Sequence, residues 1–269
     1  MAAKVLPGGE PIAPIGLGTW AIGGHMSANR RHDRESISTI EAALEMGYSH
    51  IDTAEMYAGG HTEELVGQAI RRFDREKLFI TTKVSPGNLR FGDIQKSMEA
   101  SLRRLGSEYV DLYLIHWPNE RIPLEESFQA LNALVESGKT RYLGVSNFNL
   151  DQVRRAEAAS NTPIATNQVP YSLQTKEYEK NGVLDYCRKQ GIIVTAYSPI
   201  KSVNLRHRTL ARIGNKYGAT PAQIALAWVI NQPAVITIPK SSNMKRLKEN
   251  FDSRRLRIEA EDMLELGRM

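Results

Sequence analysis

Cysteine is nearly absent from this sequence, in which Cys187 is the only one among 269 residues. A single thiol cannot form an internal disulfide, so a fold that depends on disulfide cross-links is excluded. Cys187 lies in the stretch LDYCRKQG, which has a helical pattern and carries no neighbouring His or second Cys. We therefore predict a reduced, structural thiol, with a redox-active thiol as the alternative.

Long hydrophobic runs are missing as well. No segment reaches the about eighteen consecutive apolar residues of a membrane-spanning helix, and the first residues, MAAKVLPGGEPIAP, lack the apolar segment of a signal peptide. No long low-complexity or Pro/Ser-rich linker divides the chain. At 41% apolar content, 269 residues suffice for one large core. We therefore expect a single domain over residues 1–269, in a soluble cytoplasmic protein without a membrane partner.

Clusters of positive charge are also missing, although the chain is basic overall, with a net charge of +5 and a pI near 9.2. No run of five Lys or Arg residues occurs, and no aromatic-interleaved motif typical of RNA binding is present. The excess charge suits an anionic ligand, but it is scattered in a way that is typical of solvated helix surfaces. We predict no nucleic-acid partner.

What the sequence does contain is an alternation of apolar strand patterns with helical patterns, several of which end at Gly. The strand patterns are IGLGTW, YSHID, LFITTK, VDLYLIH, TRYLGVS, IATNQ, IIVTAY and VITIP. The helical patterns include RESISTIEAALEMG, GDIQKSMEASLRRLG, LEESFQALNALVESG, LDQVRRAEAA and TPAQIALAWVINQ. Eight strands with intervening helices match a (β/α)8 TIM barrel, which typically has about 250 residues.

The main rival is an open, doubly wound sheet. That fold binds dinucleotides through a G-x-G-x-x-G turn after its first strand, whereas GLGTWAIGG has neither this spacing nor a following helix. We therefore predict the barrel. The preceding segment KVLPGGEPIAP predicts a β-hairpin, with Pro-Gly-Gly as its turn, at the bottom of the barrel.

In such a barrel, functional side chains lie at the carboxyl ends of the strands. Side chains alternate along a strand, which places Tyr48, His50 and Asp52 on one face and makes Asp52 the last inward group before the loop. The same parity turns Lys83 and His116 inward at the ends of LFITTK and VDLYLIH. Three consecutive strands thus direct Asp52, Lys83 and His116 at one volume.

Tyr57 follows just above Asp52 and completes a group of four. Each residue alone has an ordinary structural explanation, such as a loop aromatic for Tyr57 or a loop acceptor for Asp52. Together they point to chemistry, because a buried lysine needs a carboxylate, and a tyrosine needs a pKa shift of up to about 3 units to serve as an acid or base near neutral pH. One ammonium at about 4 Å supplies that order of energy at an effective dielectric constant of about 20. We therefore expect Lys83 to lower the pKa of Tyr57, and Asp52 to orient Lys83.

These residues lie within a longer set of motifs that resembles the aldo-keto reductases over nearly the whole chain. The matching pieces, in family order, are GLGTW (16–20), HIDTAEMY (50–57), ITTK (80–83), DLYLIHWP (111–118), GKTRYLGVSNF (138–148), NQVPYS (167–172), TAYSP (195–199) and IPKSSNMKRLKEN (238–250). The resemblance implies NADPH-dependent reduction of an aldehyde or ketone, with a small-molecule carbonyl substrate. We also expect a monomer without a metal site.

The resemblance further implies a role for each of the four residues. Tyr57 matches the residue that donates a proton to the carbonyl oxygen, and Lys83 matches its pKa partner. Asp52 matches the carboxylate that holds the lysine, and His116 matches the donor that orients the substrate oxygen.

Cofactor and substrate contacts are implied in the same way. The residues expected to bind the nicotinamide carboxamide or stack on its ring are Ser146, Asn147, Gln168 and Tyr197. Those expected around the 2′-phosphate and the adenine are Lys240, Ser241, Arg246, Glu249 and Asn250. The remaining expected NADPH contacts are Gly18, Thr19, Trp20, Asp52, Ser198 and Ile200. The expected substrate wall consists of Trp20, Met56, Tyr57, His116 and Trp117.

The loops differ from those of the better-known eukaryotic members. The segment SPIKSVNLRH after Tyr197 is too short for a cofactor-wrapping belt, WPNERIPLEES after His116 is short as well, and the final residues leave no long tail over the pocket. We therefore expect weak discrimination among reactive aldehydes and dicarbonyls, with high KM values.

Two other functions stay open at this stage. A regulatory or redox-sensing barrel subunit with slow turnover would keep the same NADPH contacts, although the complete group of four residues favours the enzyme. An isomerase or aldolase would use Lys83 as a Schiff-base nucleophile, which the adjacent Asp52 disfavours by keeping the amine protonated.

Overall fold

The computed structural model describes residues 4–269 of the chain. Eight parallel strands form one curled sheet surrounded by helices, which confirms the predicted (β/α)8 barrel. An antiparallel hairpin precedes it, made of β1 (Lys4–Val5) and β2 (Pro11–Ile12). The barrel strands are β3 (Leu17–Gly18), β4 (His50–Asp52), β5 (Phe79–Val84), β6 (Val110–Ile115), β7 (Thr140–Ser146), β8 (Ile164–Pro170), β9 (Ile193–Tyr197) and β10 (Val235–Thr237).

The barrel closes where its first and last strands meet. Ile15 and Thr237 form a parallel bridge, and the Gly16 N–H donates to the Thr237 carbonyl at 2.8 Å. Gly18 lies at this seam, where an added Cβ would stand 2.4 Å from the Ile238 carbonyl oxygen. Only glycine permits so close an approach of two backbone segments.

The helices agree with the sequence prediction, since the five helical patterns quoted above correspond to α1, α3, α4, α5 and α9. The α-helices found within residues 4–269 are α1 (Asp33–Glu45), α2 (His61–Ile70), α3 (Phe91–Leu105), α4 (Leu124–Glu136), α5 (Leu150–Ala159), α6 (Glu177–Lys180), α7 (Val183–Gln190), α8 (Arg208–Tyr217), α9 (Pro221–Asn231), α10 (Met244–Asp252) and α11 (Ala260–Gly267). Short 3-10 turns occur at Arg30–His32, Tyr57–Gly60, Arg75–Lys77, Pro86–Asn88 and Ser253–Arg255. Along the described part of the chain, none of these helices combines the length and apolarity needed to cross a membrane.

Local sequence signals explain where these helices begin and end. The α9 helix begins with Pro221 in its first turn and a capping box, in which the Thr220 side chain accepts from the Gln223 N–H while the Gln223 side chain accepts from the Thr220 N–H. The α3 helix ends at Gly106, whose φ of 62° is left-handed.

Buried apolar side chains form two clusters. The barrel interior holds Leu6, Ile12, Phe79, Leu112, Leu114, Ala165, Ile193 and Ile236, which confirms the inward parity predicted for β5 and β6. The larger cluster fills the layer between strands and helices and includes Cys187 of α7. Burial raises the pKa of the Cys187 thiol to about 12, so it stays protonated at neutral pH, as a structural thiol does.

Tyr48 departs from the predicted parity. It precedes β4, donates through its hydroxyl to the Leu247 carbonyl at 3.0 Å, and stacks on Phe251 with ring centroids 4.6 Å apart. Both partners belong to α10, so Tyr48 faces the helix layer instead of the barrel interior. The prediction was wrong because the strand begins only at His50, and alternation does not extend beyond the strand.

An ion network holds the bottom of the barrel together. Asp111 of β6 is 1% exposed and accepts from Arg75 at 2.7 Å and from Arg141 at 2.8 Å. Its carboxylate also accepts from the Ile80 N–H at 2.9 Å. Arg141 pairs in addition with Glu10, which lies between β1 and β2. The hairpin is thereby fastened to the barrel bottom, as predicted.

Replacing Asp111 by Ala should lower the free energy of unfolding by about 3–5 kcal/mol, because the buried acceptor of two guanidinium groups is lost. Arg155→Ala is the control, since Arg155 and Glu125 form a pair whose side chains are 50% and 65% exposed. Its cost should stay below about 1 kcal/mol. Urea denaturation measures both, and similar losses in the two variants would contradict a stabilising role for the network.

Candidate active site

A cavity of about 670 Å³ opens at the carboxyl ends of the barrel strands. Most residues predicted from the sequence to bind cofactor or substrate line it. They are Gly18, Thr19, Trp20, Asp52, Met56, Tyr57, His116, Trp117, Ser146, Asn147, Gln168, Tyr197, Ser198, Ile200 and Lys240.

Lys83 is fully buried near the end of β5 and bonds to two of these residues, Asp52 and Tyr57. Its Nζ donates to Asp52 Oδ1 at 2.6 Å and to the Tyr57 phenol oxygen at 3.3 Å. A third bond runs from Nζ to the Thr53 carbonyl oxygen at 2.8 Å. The other Asp52 oxygen, Oδ2, accepts from Gln168 Nε2 at 2.7 Å. All three ammonium protons of Lys83 are therefore engaged, and the phenol of Tyr57 has a cation at hydrogen-bond distance.

The charges of this cluster act in opposite directions. Burial alone would lower the pKa of Lys83, but the Asp52 carboxylate, aided by Tyr57, raises it above its ordinary value. Burial raises the pKa of Tyr57, Lys83 opposes this, and Asp52 adds to the rise. Lys83 thus lowers the Tyr57 pKa as expected, but the net direction is upward. Desolvation of the 8% exposed phenol outweighs the single ammonium.

His116 completes the group at the end of β6. Its ring lies 5.6 Å from the Tyr57 ring, measured between centroids, at an interplanar angle of 72°. Burial, with the Lys83 charge as a smaller cause, lowers the pKa of His116 to about 3, so the imidazole is neutral at neutral pH. Its Nδ1 is buried without a partner among residues 4–269. A single ring proton therefore finds no acceptor at Nδ1, and Nε2 is the nitrogen available to donate into the cavity.

Polar groups at the ends of β7, β8 and β9 form another part of the wall. Asn147 Nδ2 donates to the His116 carbonyl oxygen at 3.1 Å, and the Tyr197 hydroxyl donates to Asn147 Oδ1 at 2.9 Å. Ser146 Oγ donates to the Gln168 carbonyl oxygen at 2.8 Å. Gln168 Oε1 accepts no hydrogen bond from the described residues and is left for a molecule in the cavity.

Residues after β3, β4 and β6 form the apolar side of the cavity. Trp20 and Trp117 are 42% and 46% exposed at its mouth, and Trp20 meets Tyr57 edge to face, with centroids 5.0 Å apart. Thr19 also lines the cavity, but its polar groups bond to the protein backbone. Its N–H and its hydroxyl both donate to the Asp52 carbonyl oxygen, at 3.1 and 2.8 Å. Thr19 thus holds the backbone of Asp52 in place, and Gly18 allows the first and last barrel strands to approach each other closely.

The residues expected around a 2′-phosphate and adenine lie beyond the cavity, with the exception of Lys240. The remaining ones are Ser241, Arg246, Glu249 and Asn250, which lie just before or on α10. Lys240 Nζ donates to Ser242 Oγ at 2.8 Å, and neither Lys240 nor Arg246 forms an ion pair with a carboxylate within residues 4–269. These two cations are therefore available to an anionic ligand at the start of α10.

Backbone strain is concentrated around the cavity. Of the five non-glycine residues with positive φ within residues 4–269, four line or adjoin the cavity: Ala21, Ala58, Asn147 and Ser198, with φ between 51° and 65°. Such conformations persist where the surroundings enforce them, and they are common at functional sites. Apart from Asn147, these residues give no signal in the sequence, because Gly and Asn are the residues that commonly adopt a left-handed backbone.

Several lining residues were missed by the sequence analysis. They are Ala21, His25, Pro199, Ile238 and Pro239. His25 reaches the wall because its loop folds back, with the Ala58 N–H donating to the His25 carbonyl at 2.6 Å and the His25 ring lying 5.8 Å from Trp20. The path of this loop depends on tertiary contacts, so no periodic pattern in the sequence predicts it.

Comparison with known proteins places this geometry in context. Residues 14–268 match the family model described as the aldo/keto reductase family. The chain is 34% identical over 250 residues to methylglyoxal reductase YeaE of Escherichia coli K12, covering 90% of this chain and 86% of the relative. It is 37% identical over 259 residues to methylglyoxal reductase DkgB of Escherichia coli O157:H7, covering 93% and 90%.

Solved structures are similar over the whole chain. The thermostable aldo-keto reductase Tm1743, crystallised with the inhibitor epalrestat, superposes with a TM-score of 0.97 at 44% identity, covering 100% of this chain and 99% of that one. An aldo/keto reductase of Klebsiella pneumoniae, crystallised with NADP and acetate, superposes with a TM-score of 0.92 at 33% identity, covering 100% and 95%. With the family model spanning nearly its full length, this chain belongs to the aldo/keto reductase family.

Proposed function

We propose that this protein is an NADPH-dependent reductase that converts aldehydes or ketones to alcohols, with Tyr57 as the proton donor. The observation that carries the proposal is the contact of the Tyr57 hydroxyl with Lys83 Nζ at 3.3 Å, inside a cavity that His116 also lines. A phenol whose pKa lies above its usual value keeps its proton at neutral pH and can donate it.

Each residue of the group has a distinct task in this scheme. When bound, NADPH supplies the hydride that adds to the carbonyl carbon. Tyr57 donates its proton to the carbonyl oxygen, and Lys83 stabilises the phenolate left behind, with Asp52 holding the ammonium in place. Neutral His116 donates a hydrogen bond from Nε2 to the same carbonyl oxygen and orients it. Proton transfer from water then restores Tyr57.

The residues of the cavity fit a nicotinamide cofactor. A carboxamide offers two N–H donors and one acceptor, and Gln168 Oε1 is an acceptor without a partner within residues 4–269. Ser146 and Asn147 supply further polar groups beside it, and Tyr197 supplies an aromatic face. Lys240 and Arg246 would hold the 2′-phosphate. Two similar solved structures of aldo-keto reductase from Klebsiella pneumoniae contain NADP or NADPH, which supports the assignment.

Methylglyoxal and 4-nitrobenzaldehyde are suitable first substrates. Two of the relatives are methylglyoxal reductases, and exposed Trp20 and Trp117 offer apolar surface to an aromatic aldehyde. Purified protein should consume NADPH with either compound and release the corresponding alcohol. NADPH consumption no faster than without protein, across a panel of aldehydes, keto acids and sugars, would favour a binding subunit instead.

A Schiff-base mechanism on Lys83 receives little support from the geometry. The Lys83 amine is fully buried, its pKa lies above the ordinary value, and its protons are engaged by three oxygen acceptors. A nucleophilic lysine must be deprotonated and accessible. Borohydride treatment in the presence of substrate should therefore leave no covalent adduct on Lys83, and mass spectrometry of the digested protein detects one if it forms.

The preference for NADPH over NADH should depend on Arg246. Replacing Arg246 by Ala should raise KM for NADPH at least about tenfold and leave KM for NADH nearly unchanged, because charge-assisted bonds to a phosphate are roughly twice as strong as neutral ones. Lys248→Ala is the matched control on α10, since it removes the same charge from a residue already paired with Asp252. Equal losses for the two cofactors in Arg246→Ala would place the phosphate site elsewhere.

A further inference from the structure

The turn that follows Tyr57 is left-handed at three consecutive residues. Ala58, Gly59 and Gly60 have φ values of 51°, 63° and 96°. Glycine adopts such angles readily, but Ala58 does so at a cost of about 1–3 kcal/mol, which the surroundings must offset. The turn ends at His61, the first residue of α2. Whatever holds His61 therefore holds the chain segment that carries the phenol.

His61 is held between two carboxylates. Its Nδ1 lies 2.7 Å from Glu64 Oε2 and its Nε2 lies 2.9 Å from Asp33 Oδ1, while the residue is only 3% exposed. Both ring nitrogens of His61 therefore lie at hydrogen-bond distance from a carboxylate oxygen.

This contact joins two helices. Asp33 is the first residue of α1, whereas Glu64 lies on α2 with His61 itself. Arg30 approaches Glu64 at 3.5 Å from the turn before α1. Glu63, the neighbouring acid, is engaged elsewhere, because it accepts from Arg104 and from Thr82.

Neighbouring contacts fasten the same turn to the loop after β3. The Ala58 N–H donates to the His25 carbonyl at 2.6 Å, and Thr62 Oγ1 donates to the Ile22 carbonyl at 2.6 Å. Gly23 lies against the imidazole, where an added Cβ would be 3.0 Å from His61 Cδ2. The Tyr57 turn is thus fixed to its surroundings on both sides, and His61 bonds its end to α1 and α2.

We propose that His61 is a positioning residue for Tyr57. Through its contacts with Asp33 and Glu64, it fixes the left-handed turn and so keeps the phenol within reach of Lys83 and His116. The inference rests on the proposed role of Tyr57 as proton donor. His61 does not line the cavity and touches no reacting atom, so its effect passes through the turn.

The test is the His61→Asn variant, assayed for NADPH-dependent reduction of methylglyoxal. We expect kcat to fall by about 10- to 100-fold, because a shift of about 1 Å in a reacting group has effects of this size. KM for NADPH should change less than about twofold, because the cofactor contacts are elsewhere. The pH profile gives a second readout. Burial is the largest cause that raises the Tyr57 pKa and Lys83 lowers it, so a phenol that moves relative to either should shift the basic limb of the pH profile.

His32→Gln is the matched control. His32 also pairs with a glutamate, Glu35, at 2.9 Å, but the two side chains are 57% and 78% exposed and form no hydrogen bond to residues 57–61. This variant should keep the wild-type kcat and pH profile. Should His61→Asn fail to fold, Asp33→Asn and Glu64→Gln take its place, since these acceptors are 27% and 40% exposed and each variant replaces one carboxylate partner of His61 with a neutral amide. Wild-type kcat and pH profile in both would overturn the proposal.

A double variant separates this proposal from the proposed function. If His61 acts through Tyr57, adding His61→Asn to Tyr57→Phe should cost no further rate, whereas additive losses would overturn the inference. A fall in kcat that matches a loss of folded protein by circular dichroism, with an unchanged pH profile, would also overturn it. Full activity in Tyr57→Phe alone would refute the proposed function. Inactive Tyr57→Phe with fully active His61→Asn would refute only the positioning role.

Discussion

Replacing Tyr57 by Phe is expected to lower kcat for carbonyl reduction by about 10²- to 10⁴-fold, the usual contribution of general acid catalysis. The substitution removes one oxygen atom and keeps the aromatic ring, which still meets Trp20 edge to face and His116 at 5.6 Å. Within residues 4–269, the hydroxyl bonds to Lys83 and to none of the residues proposed to hold the nicotinamide. Its loss therefore leaves the proposed nicotinamide contacts at β7, β8 and β9 unchanged. NADPH should therefore bind with nearly wild-type affinity.

Two measurements check this expectation. Single-turnover kinetics report the chemical step, and quenching of tryptophan fluorescence reports NADPH binding. Tyr113→Phe is the control, because the Tyr113 hydroxyl is buried without a partner in the described part of the chain and its removal breaks no hydrogen bond. That variant should retain wild-type kcat. A Tyr57→Phe enzyme with near wild-type kcat on several aldehydes would show that the proton comes from another group.

The sequence predicts the fold and the centre of the site because both depend on strand periodicity. Alternation along β5 places Lys83 on the inner face, and His116 continues the alternation of β6 because its N–H still donates to the Val84 carbonyl of β5 at 3.0 Å. The carboxyl ends of parallel strands meet at one end of the barrel. The register then brings Lys83 to Asp52 at 2.6 Å. Where the strand ends, the rule fails, as it does for Tyr48, which packs against α10.

Strand periodicity does not predict features that depend on the paths of loops or on the burial of side chains. His25 enters the cavity wall only because its loop is bonded to Ala58. His61 is buried between Asp33 and Glu64. Its contact with Asp33 spans 28 positions of the sequence, so no local pattern predicts it. The sequence does not predict the direction of the Tyr57 pKa shift. That direction depends on how far the fold removes the phenol from solvent, because desolvation raises the pKa while the charge of Lys83 lowers it.

Replacing Lys83 by Met should impair both activity and stability, and a second substitution separates the two. Met preserves the length and apolar character of the side chain but removes the ammonium. The Asp52 carboxylate, with a side chain only 2% exposed, then loses its cation and retains only the Gln168 amide. Leaving a buried charge without its partner costs about 3–5 kcal/mol of folding free energy.

Asp52→Asn in the Lys83→Met background removes that uncompensated charge. Urea denaturation should therefore show most of the lost stability restored in the double variant, because a neutral amide is far cheaper to bury than a carboxylate. Activity should not return with it. Without the ammonium nothing stabilises the phenolate that forms when Tyr57 gives up its proton, so kcat should stay about 10²-fold or more below wild type in both variants. A stable double variant that reduces methylglyoxal at the wild-type rate would mean that Lys83 serves only to neutralise Asp52, and the acid chemistry proposed for Tyr57 would have to proceed without it.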